Sequence, residues 1–204
     1  MGFFDRNRKD LEKKGYSPDR LPPGQYFTER FPVLQAGGVP LYKTLDSWDL
    51  RVFGLVEREL VFDYKQLDEM ATDEFVVDIH CVTKWSKFDT AWRGVNFSRI
   101  LEMAAPAKDA QAVMFHGEFG YTANIPLKDL TTDEAMVALY YEGLPLEPEH
   151  GYPARFVFPR LYFWKSTKWL RGIEFIEEDR PGFWERNGYH MYGDPWQQQR
   201  YSDD

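Results

Sequence analysis

The chain has 204 residues, enough for one domain with a sizeable core. A hydrophobic content of 43% with 17% aromatic residues excludes an intrinsically disordered protein. The net charge of −8 argues against a general nucleic-acid partner, because phosphate binding needs a basic face. The single cysteine excludes an internal disulfide. The N-terminal residues contain no long apolar run, so we expect neither a signal peptide nor a membrane span, and a cytoplasmic location.

The first half of the chain predicts an arm, two strands and a helix. Residues 1–26 are polar and rich in proline, which predicts an extended N-terminal arm before a single domain over residues 27–204. Residues 48–56 alternate as a strand does, and DYKQLDEM predicts a short helix capped by its aspartate. The apolar run EFVVDIHCV predicts a buried strand over residues 74–82.

The second half predicts one more helix and five more strands. NFSRILEMAA is typical of a helix that begins after an asparagine cap. QAVMFHG and YTANIPL predict two strands around the turn at residues 117–120, and MVALYYEG, ARFVFP and KWLRGIEFIEE predict three others. Residues after Glu178 are predicted to form aromatic loops. Strands outnumber helices and few are spaced as βαβ units, so the sequence predicts a single α+β domain that is mostly β.

Cys81 is the first chemically notable residue. It lies at or just beyond the end of the predicted strand, where chains often place reactive groups. A lone thiol has three interpretations: a buried apolar side chain, a nucleophile or a metal ligand. His80 precedes it, but neighbouring side chains on a strand point to opposite faces, so His80 is poorly placed to activate the thiol.

A basic segment runs from Arg155 to Arg171 without one acidic residue, although the chain as a whole is acidic. Its five cations are Arg155, Arg160, Lys165, Lys168 and Arg171. Arginine forks and lysine charges suit an anion pocket, whereas the plainer alternative is a solvated strand face. Aromatic residues between the cations favour a partly enclosed site. His150, five residues before Arg155, is either part of that site or a structural hydrogen-bonding group.

Several common site motifs are missing from the sequence. There is no HExxH or CxxC spacing for a zinc site made only of protein ligands, and there is no GxSxG, P-loop or GxGxxG motif. What remains is a cysteine at a strand end, a basic pocket and many aromatic residues. This combination suits a phosphate-bearing cofactor whose reactive centre is reached by a thiolate.

Five segments in the same order resemble the sulfite oxidase family of molybdopterin-dependent oxidoreductases, and in particular its short bacterial branch. The segments are HCVTKWS, GYTANIPL, PLEPEHGYPARFVFP, YFWKSTKWL and PGFWERNGYH. The resemblance extends from about Phe31 to Tyr201. It implies the sulfite-oxidase-type molybdopterin-binding fold and a cofactor of molybdenum and molybdopterin with no added nucleotide.

The resemblance also implies roles for particular residues. A single cysteine thiolate ligates molybdenum in this family, and Cys81 matches that position. A tyrosine five residues after a tryptophan faces the substrate side, and Tyr189 follows Trp184 at that spacing.

The remaining implied roles are contacts with the pterin and its phosphate. These residues are His150, Arg155, Lys165, Ser166, Lys168, Thr122 and Asn124. His150 and Arg155 repeat the family's spacing of a cofactor-binding histidine and arginine. Thr122 and Asn124, from the GYTANIPL hairpin, are the weaker assignments.

Two departures from the family pattern bear on substrate and partners. Thr28 stands where sulfite oxidases carry an arginine that helps to bind sulfite, which weakens the case for sulfite as the substrate; Arg30 is a possible substitute. The chain also ends without the C-terminal dimerisation domain or a haem domain. We therefore expect a monomer that exchanges electrons with a separate protein.

The predicted function is two-electron or oxygen-atom transfer at molybdenum, on a small oxyanion or a sulfoxide-type substrate. Two alternatives stay open from the sequence. The first is a non-catalytic pterin-binding module. The second is a metal-free cysteine enzyme, which requires a lowered Cys81 pKa and a histidine next to the thiol.

Overall fold

The fold is described by a computed structural model that covers Asn7 and residues 11–132 and 134–204. Three α-helices lie wholly within these residues: α1 (Tyr64–Met70), α2 (Phe97–Ala104) and α3 (Phe183–Arg186). The strands are β1 (Tyr26–Phe27), β2 (Asp49–Gly54), β3 (Leu60–Asp63), β4 (Asp73–His80), β5 (Trp85–Asn96), β6 (Ala112–Gly117), β7 (Thr122–Pro126), β8 (Met136–Tyr141), β9 (Leu144–Pro145), β10 (Arg155–Val157) and β11 (Leu170–Ile176). Short 3-10 helices cover Pro18–Arg20, Glu118–Gly120, Leu127–Thr131, Pro148–His150 and Phe163–Lys165.

These strands form two sheets. The first sheet has the order β1-β5-β8-β10, with β4 paired to β5 and β9 paired to β8. The second sheet has the order β3-β2-β11-β6-β7. Strand β11 runs parallel to β2 and antiparallel to β6. The predicted α+β fold dominated by β-structure is confirmed.

The main core lies between the two sheets. Buried side chains from the second sheet, such as Val52 and Phe115, belong to one cluster with Val137 and Phe156 from the first. The rings of Phe115 and Phe156 stack with their centroids 3.8 Å apart. A second apolar cluster, which contains Cys81, surrounds the candidate site described below.

Local sequence patterns account for both predicted helices. Asp63 accepts a hydrogen bond from the Gln66 backbone N–H while the Gln66 side chain accepts one from the Asp63 backbone, so α1 begins with a complete capping box. Asn96 caps α2 through the Ser98 N–H at 2.8 Å. Trp48, Leu50 and Val52 are buried together, as their alternation predicts.

Three details differ from the sequence predictions. The 12-residue strand β5 was not predicted, because the residues between Trp85 and Asn96 mix charged, small and aromatic side chains. Strand β4 is not buried on both faces: Glu74 and Val76, two residues apart and therefore on one face, are both exposed, Val76 to 67%. The loops after Glu178 include the short helix α3.

The N-terminal segment lies against the domain where it is described. Most of residues 1–10 fall outside the described residues, so their predicted arm is not addressed. Residues 11–13 are helical, and Leu11 and Leu21 pack against Phe88. Arg20 forms an ion pair with Asp78 at 2.6 Å. The segment therefore does not extend away from the sheets, and the predicted boundary at residue 26 stays a prediction. Within the described part of the chain, no helix has both the length and the apolar character required to cross a bilayer.

Candidate functional site

A cavity of about 290 Å³ lies beside the turn that follows β4. One part of its wall is aromatic and apolar: Phe31, Trp85, Phe163, Trp164, Trp169 and Trp184. The chemically active side chains on its wall are Cys81, Tyr121, His150, Arg155, Ser166, Lys168 and Tyr189. The cavity therefore brings together six of the nine site residues predicted from the sequence: Cys81, His150, Arg155, Ser166, Lys168 and Tyr189.

Cys81 is the first residue after β4, as predicted, and begins the four-residue turn to β5. Its N–H donates to the Trp85 carbonyl at 2.8 Å, and its carbonyl accepts from the Lys84 N–H at 2.9 Å. Its Sγ lies 3.2 Å from Thr83 Oγ1. Only 7% of Cys81 is exposed, and burial raises the pKa of the thiol. The turn thus presents one sulfur to the cavity.

His80 does not contact the thiol. Its Nδ1 is hydrogen bonded to Ser86 Oγ at 2.8 Å, and burial lowers the pKa of His80 to about 4. The sequence prediction that His80 cannot activate Cys81 directly agrees with this geometry.

Arg155 is a buried cation without an acidic partner among the described residues. Its Nη1 donates to the His150 carbonyl at 2.8 Å and its Nη2 to the Ser166 carbonyl at 2.9 Å. Its Nε is buried and has no hydrogen-bond partner in the part of the chain that the structure describes. Burial lowers the pKa of Arg155 to about 9, which leaves the guanidinium charged at pH 7. A buried charge of this kind calls for an anionic ligand.

Lys168 is the second cation on the cavity wall. Its Nζ donates to the backbone carbonyls of Leu34 and Glu149, each at 2.9 Å. Burial and the nearby Arg155 charge lower the pKa of Lys168 to about 7. An anion placed between these two cations would relieve the repulsion between them.

His150 and Ser166 complete this side of the cavity. The His150 ring stacks on Phe31 with the centroids 4.1 Å apart, and burial with the Arg155 charge lowers the pKa of His150. His150 is therefore a neutral donor or acceptor at pH 7. The Ser166 hydroxyl accepts a hydrogen bond from the Phe158 N–H at 2.9 Å. This bond fixes the position of the backbone segment that carries Ser166 and Lys168.

Three other predicted site residues lie outside the cavity wall. Lys165 is fully buried, with Nζ 2.7 Å from Glu185 Oε1 and 2.8 Å from Asn124 Oδ1. The Asn124 amide donates to Asp179, and the Thr122 hydroxyl lies 3.5 Å from Arg186. Their predicted role as cofactor contacts stays a prediction.

The basic segment does not act as one unit. Arg160 pairs with Glu134 at 3.6 Å, and Arg171 pairs with both Asp49 and Glu118. Neither arginine lines the cavity. Neither alternative for the basic segment holds for all five cations: Arg160 and Arg171 are paired with acids that are distant in sequence, and Lys165 is paired with Glu185. Arg155 and Lys168 remain as the cationic wall.

Tyr189 lies on the aromatic side, with Cys81. Its ring stacks on Trp184 with the centroids 4.8 Å apart and meets the Trp164 ring edge-on at 5.0 Å. Within the described part of the chain the Tyr189 hydroxyl has no hydrogen-bond partner, and burial raises its pKa. Two tryptophans thus fix the ring while its hydroxyl stays available to a ligand.

Sequence reasoning missed two residues that shape this wall. The Tyr121 hydroxyl donates to the Trp164 carbonyl at 2.5 Å. Glu185 accepts from Trp164 Nε1 at 2.7 Å in addition to its ion pair with Lys165. Glu185 lies in the segment PGFWERNGYH, directly after Trp184. An acidic residue at this position could have indicated a partner for one of the predicted cations.

Thr28 and Arg30, which mark the departure from the sulfite oxidase pattern, lie outside the cavity wall. The Thr28 N–H donates to the Ser86 carbonyl at 2.9 Å, and the Thr28 hydroxyl accepts the Arg30 N–H at 3.1 Å. Arg30 is exposed. It therefore does not supply the missing cation to the cavity.

The residues present fit a phosphate-bearing cofactor that brings its own metal ligands. No group of three or more His, Cys, Asp and Glu side chains in the described residues is arranged to hold a metal ion without help. Cys81 offers a single soft sulfur donor. Arg155, with its unpartnered Nε, and Lys168 offer the charge that a phosphate requires. This donor set matches a molybdenum–molybdopterin cofactor.

Comparisons with known proteins agree with a molybdopterin cofactor. Residues 36–184 match the family described as the oxidoreductase molybdopterin binding domain. The uncharacterized oxidoreductase YuiH of Bacillus subtilis is 49% identical over 183 residues, which are 90% of this chain and 92% of YuiH. The protein-methionine-sulfoxide reductase catalytic subunit MsrP of Campylobacter jejuni is 28% identical over 72% of this chain and 55% of MsrP.

A solved structure is similar at the level of the fold. The sulfane dehydrogenase SoxCD from Paracoccus pantotrophus superimposes with a TM-score of 0.62 at 21% identity, over 72% of this chain and 42% of the SoxCD chain. The chain thus spans about half the length of MsrP and less than half of the SoxCD chain. The family resemblance inferred from the five sequence segments is confirmed. The chain belongs to the sulfite oxidase family of molybdopterin-dependent oxidoreductases, and it is a molybdenum-cofactor enzyme.

Proposed function

We propose that this protein carries out oxygen-atom transfer on a small sulfoxide-type substrate, with Cys81 as the protein ligand to molybdenum. One observation carries the proposal: the wall of one cavity holds the cations Arg155 and Lys168 together with Cys81 and Tyr189, and neither cation is among the groups that shift the pKa of Cys81 or of Tyr189. The two cations suit the phosphate of molybdopterin. We assign the uncharged end of the cavity, around Cys81 and Tyr189, to the substrate.

Each residue has a defined task in this proposal. Cys81 supplies its thiolate to the metal, and Arg155 and Lys168 neutralise the cofactor phosphate. His150 and Ser166 orient the pterin beside them. When bound, the cofactor supplies the molybdenum(VI)/(IV) couple at which oxygen atoms are exchanged.

Tyr189 is the proposed substrate-side donor. Its free hydroxyl donates a hydrogen bond to the oxygen of the sulfoxide group, while Trp184 and Trp164 hold the ring and exclude water. Reduction of a sulfoxide consumes two electrons and two protons and releases a thioether and water. The electrons come from a separate donor protein. We further propose that this chain is a cytoplasmic monomer and that its pterin carries no added nucleotide.

The charge at the substrate end favours a sulfoxide over sulfite. The charge of the Cys81 thiolate raises the pKa of three tyrosines, Tyr121, Tyr162 and Tyr189. Among the described residues, no cation contributes to the pKa of Cys81 itself. A sulfite dianion would need a cation there, whereas a neutral sulfoxide needs only a hydrogen-bond donor. The name of MsrP, a methionine-sulfoxide reductase subunit, supports the same class.

The metal-free cysteine enzyme is not supported by the geometry. It requires a lowered Cys81 pKa and an adjacent histidine, whereas burial raises that pKa and His80 is bonded to Ser86. The non-catalytic pterin-binding module differs from our proposal only in turnover, and activity measurements separate the two.

The test begins with cofactor content. The wild type, Cys81→Ser and the surface control Lys65→Met are expressed in a host that makes the cofactor, and molybdenum and released pterin are measured. We expect about one molybdenum per chain in the wild type and in Lys65→Met, and lost metal or an altered metal spectrum in Cys81→Ser. Absence of molybdenum and pterin from the wild type, while a control enzyme loads in the same host, overturns the proposal.

Turnover is then measured on the loaded protein. Reduction of aryl methyl sulfoxides with a reduced viologen dye is compared with sulfite oxidation by ferricyanide. We expect sulfoxide reduction that depends on Cys81 and little sulfite oxidation. Faster turnover of sulfite would contradict the assignment of the uncharged end to the substrate, and bound pterin without turnover of either compound would favour the binding module.

A further inference from the structure

The turn that carries Cys81 is held by a side chain from the N-terminal segment. Gln25 is 2% exposed, and its Nε2 donates to the Cys81 carbonyl at 2.9 Å and lies 3.2 Å from the Trp85 carbonyl. It also lies 3.4 Å from Ser86 Oγ. These two carbonyls belong to the first residue of the turn and to the residue that follows it. One amide group therefore binds both ends of the turn.

Gln25 is itself held by Arg200 from the C-terminal segment. Arg200 Nη2 lies 3.2 Å from both Gln25 Oε1 and the Pro23 carbonyl, and its guanidinium lies 5.2 Å from the Tyr162 ring centroid. Arg200 is 7% exposed. Gly24 permits this close approach, because a Cβ there would lie 2.9 Å from Gln198 Oε1 and 3.1 Å from Arg200 Nη2.

The same C-terminal segment is joined to Tyr189 on the cavity wall. The Arg200 carbonyl accepts the His190 N–H at 3.1 Å, and Tyr189 and Tyr201 form an antiparallel bridge. The connection from Cys81 through Gln25 to Arg200 runs through buried polar contacts, and backbone contacts continue it to His190 and Tyr189. It links the sulfur ligand to the tyrosine that faces the substrate.

Simple attachment of the N-terminal segment does not require this arrangement. Strand β1 already pairs with β5, through the Tyr26 N–H to the Lys84 carbonyl at 2.7 Å and the Thr28 N–H to the Ser86 carbonyl at 2.9 Å. The Gln25 amide adds bonds to the Cys81 turn and to Trp85 and Ser86 at the start of β5. Both Gln25 and Arg200 also lie outside residues 36–184, which match the family domain.

We propose that Gln25 and Arg200 are positioning residues that fix Cys81 relative to Tyr189 by clamping the Cys81 turn from both chain ends. The inference rests on the proposed function, in which Cys81 is the metal ligand. The clamp contributes no group to the reaction and acts only through the backbone of Cys81 and Tyr189.

The first test uses Cys81 as its own probe, because it is the only cysteine in the chain. The rate of alkylation by iodoacetamide is measured on the full chain expressed without the cofactor, as the wild type, Gln25→Glu, Gln25→Leu and Arg200→Met. Gln25→Glu keeps the shape and an acceptor for Arg200 but replaces the donor to Cys81 with an oxygen. Tyr140→Phe is the matched control, since it removes a hydrogen bond to Asp68 away from the cavity.

We expect each clamp variant to increase the alkylation rate about tenfold, as expected when a buried hydrogen-bonding group loses its partner. The double variant Gln25→Leu/Arg200→Met is expected to match the faster single variant, because the two residues act in series. Rates within twofold of the wild type overturn the proposal. So do multiplicative effects in the double variant, or an equal increase in Tyr140→Phe.

A second test examines the loaded enzyme. The electron paramagnetic resonance spectrum of molybdenum(V) is compared between the wild type and Gln25→Glu at matched molybdenum content. We expect shifted g values in Gln25→Glu and an unchanged spectrum in Tyr140→Phe, and identical spectra for wild type and Gln25→Glu overturn the clamp. If the wild type carries no molybdenum, the proposed function fails, while the alkylation rates still decide whether Gln25 and Arg200 position Cys81.

Discussion

Two buried cations ten residues apart give a sharp test of how the site is built. Arg155 and Lys165 are 2% and 0% exposed, respectively. Lys165 forms a buried ion pair with Glu185 at 2.7 Å, whereas the hydrogen-bond partners of Arg155 among the described residues are backbone carbonyls, and its guanidinium lies 4.3 Å from the Phe163 ring centroid. Replacing each with methionine should therefore have opposite consequences for stability and for cofactor binding.

The magnitudes follow from these partners. Arg155→Met leaves the His150 and Ser166 carbonyls unpaired, which costs about 1–3 kcal/mol each. It also removes an uncompensated buried charge, whose burial costs several kcal/mol. The two effects oppose each other, so we expect the free energy of unfolding of the cofactor-free protein to change by less than about 2 kcal/mol. Lys165→Met leaves the buried Glu185 carboxylate without its ion-pair partner and should lower the free energy of unfolding by about 3–5 kcal/mol.

The assay is urea unfolding of the two variants and the wild type without cofactor, followed by measurement of pterin content after expression in a host that makes the cofactor. We expect Arg155→Met to fold almost as stably as the wild type and to retain less than a tenth of the pterin. A sulfate titration should raise the unfolding temperature of the wild type more than that of Arg155→Met. Equal destabilisation by both substitutions, or full pterin content in Arg155→Met, would refute the assignment of Arg155 to an anion.

Four further predictions address the cavity and the fold. Because the pKa of Lys168 is lowered to about 7, the native, cofactor-free protein releases a proton near pH 7, whereas the unfolded chain keeps that proton up to the ordinary lysine pKa. The contribution of Lys168 to the free energy of unfolding therefore rises from about pH 7 towards pH 10. In urea titrations, the increase of this free energy with pH should be smaller for Lys168→Met than for the wild type. Because sulfate binding requires the protonated Lys168, calorimetry should show sulfate affinity falling as the pH rises through about 7. Tyr189→Phe removes a hydroxyl without a partner among the described residues, so unfolding should change by less than about 0.5 kcal/mol while the sulfoxide turnover rate falls at least about tenfold; unchanged turnover would remove Tyr189 from the substrate side. Asp63→Ala removes the capping box of α1 and should cost about 1 kcal/mol, a shift of about 2–4 °C in Tm, with molybdenum content unaffected.

The sequence was sufficient for features that depend on neighbouring residues. The caps at Asp63 and Asn96, the alternation around Leu50 and the hairpin of β6 and β7 are local, and each was predicted where it occurs. Cys81 was placed at the end of its strand for the same reason. The strand β5 was not predicted: burial alternates from Lys87 to Gly94, but the buried positions include Thr90 and Gly94, so large apolar side chains do not mark the period in the sequence.

Most of the site residues came from the family resemblance rather than from local pattern. The resemblance named His150, Arg155, Ser166 and Lys168 together, and the structure brings all four to the cavity wall. It could not separate them from Lys165, which stands in the same segment but turns away to meet Glu185.

Only the tertiary structure decided which cations remain free. From sequence, Arg155, Lys165 and Arg171 are equivalent members of one basic run. Folding brings Glu185 to Lys165 and brings Asp49 and Glu118 to Arg171, and it leaves Arg155 buried without an acidic partner among the described residues. The sequence thus determined which charges exist and which elements carry them. Because electrostatic interactions act between atoms close in space, whatever their separation in the chain, the fold alone determined which of those charges were left for a ligand.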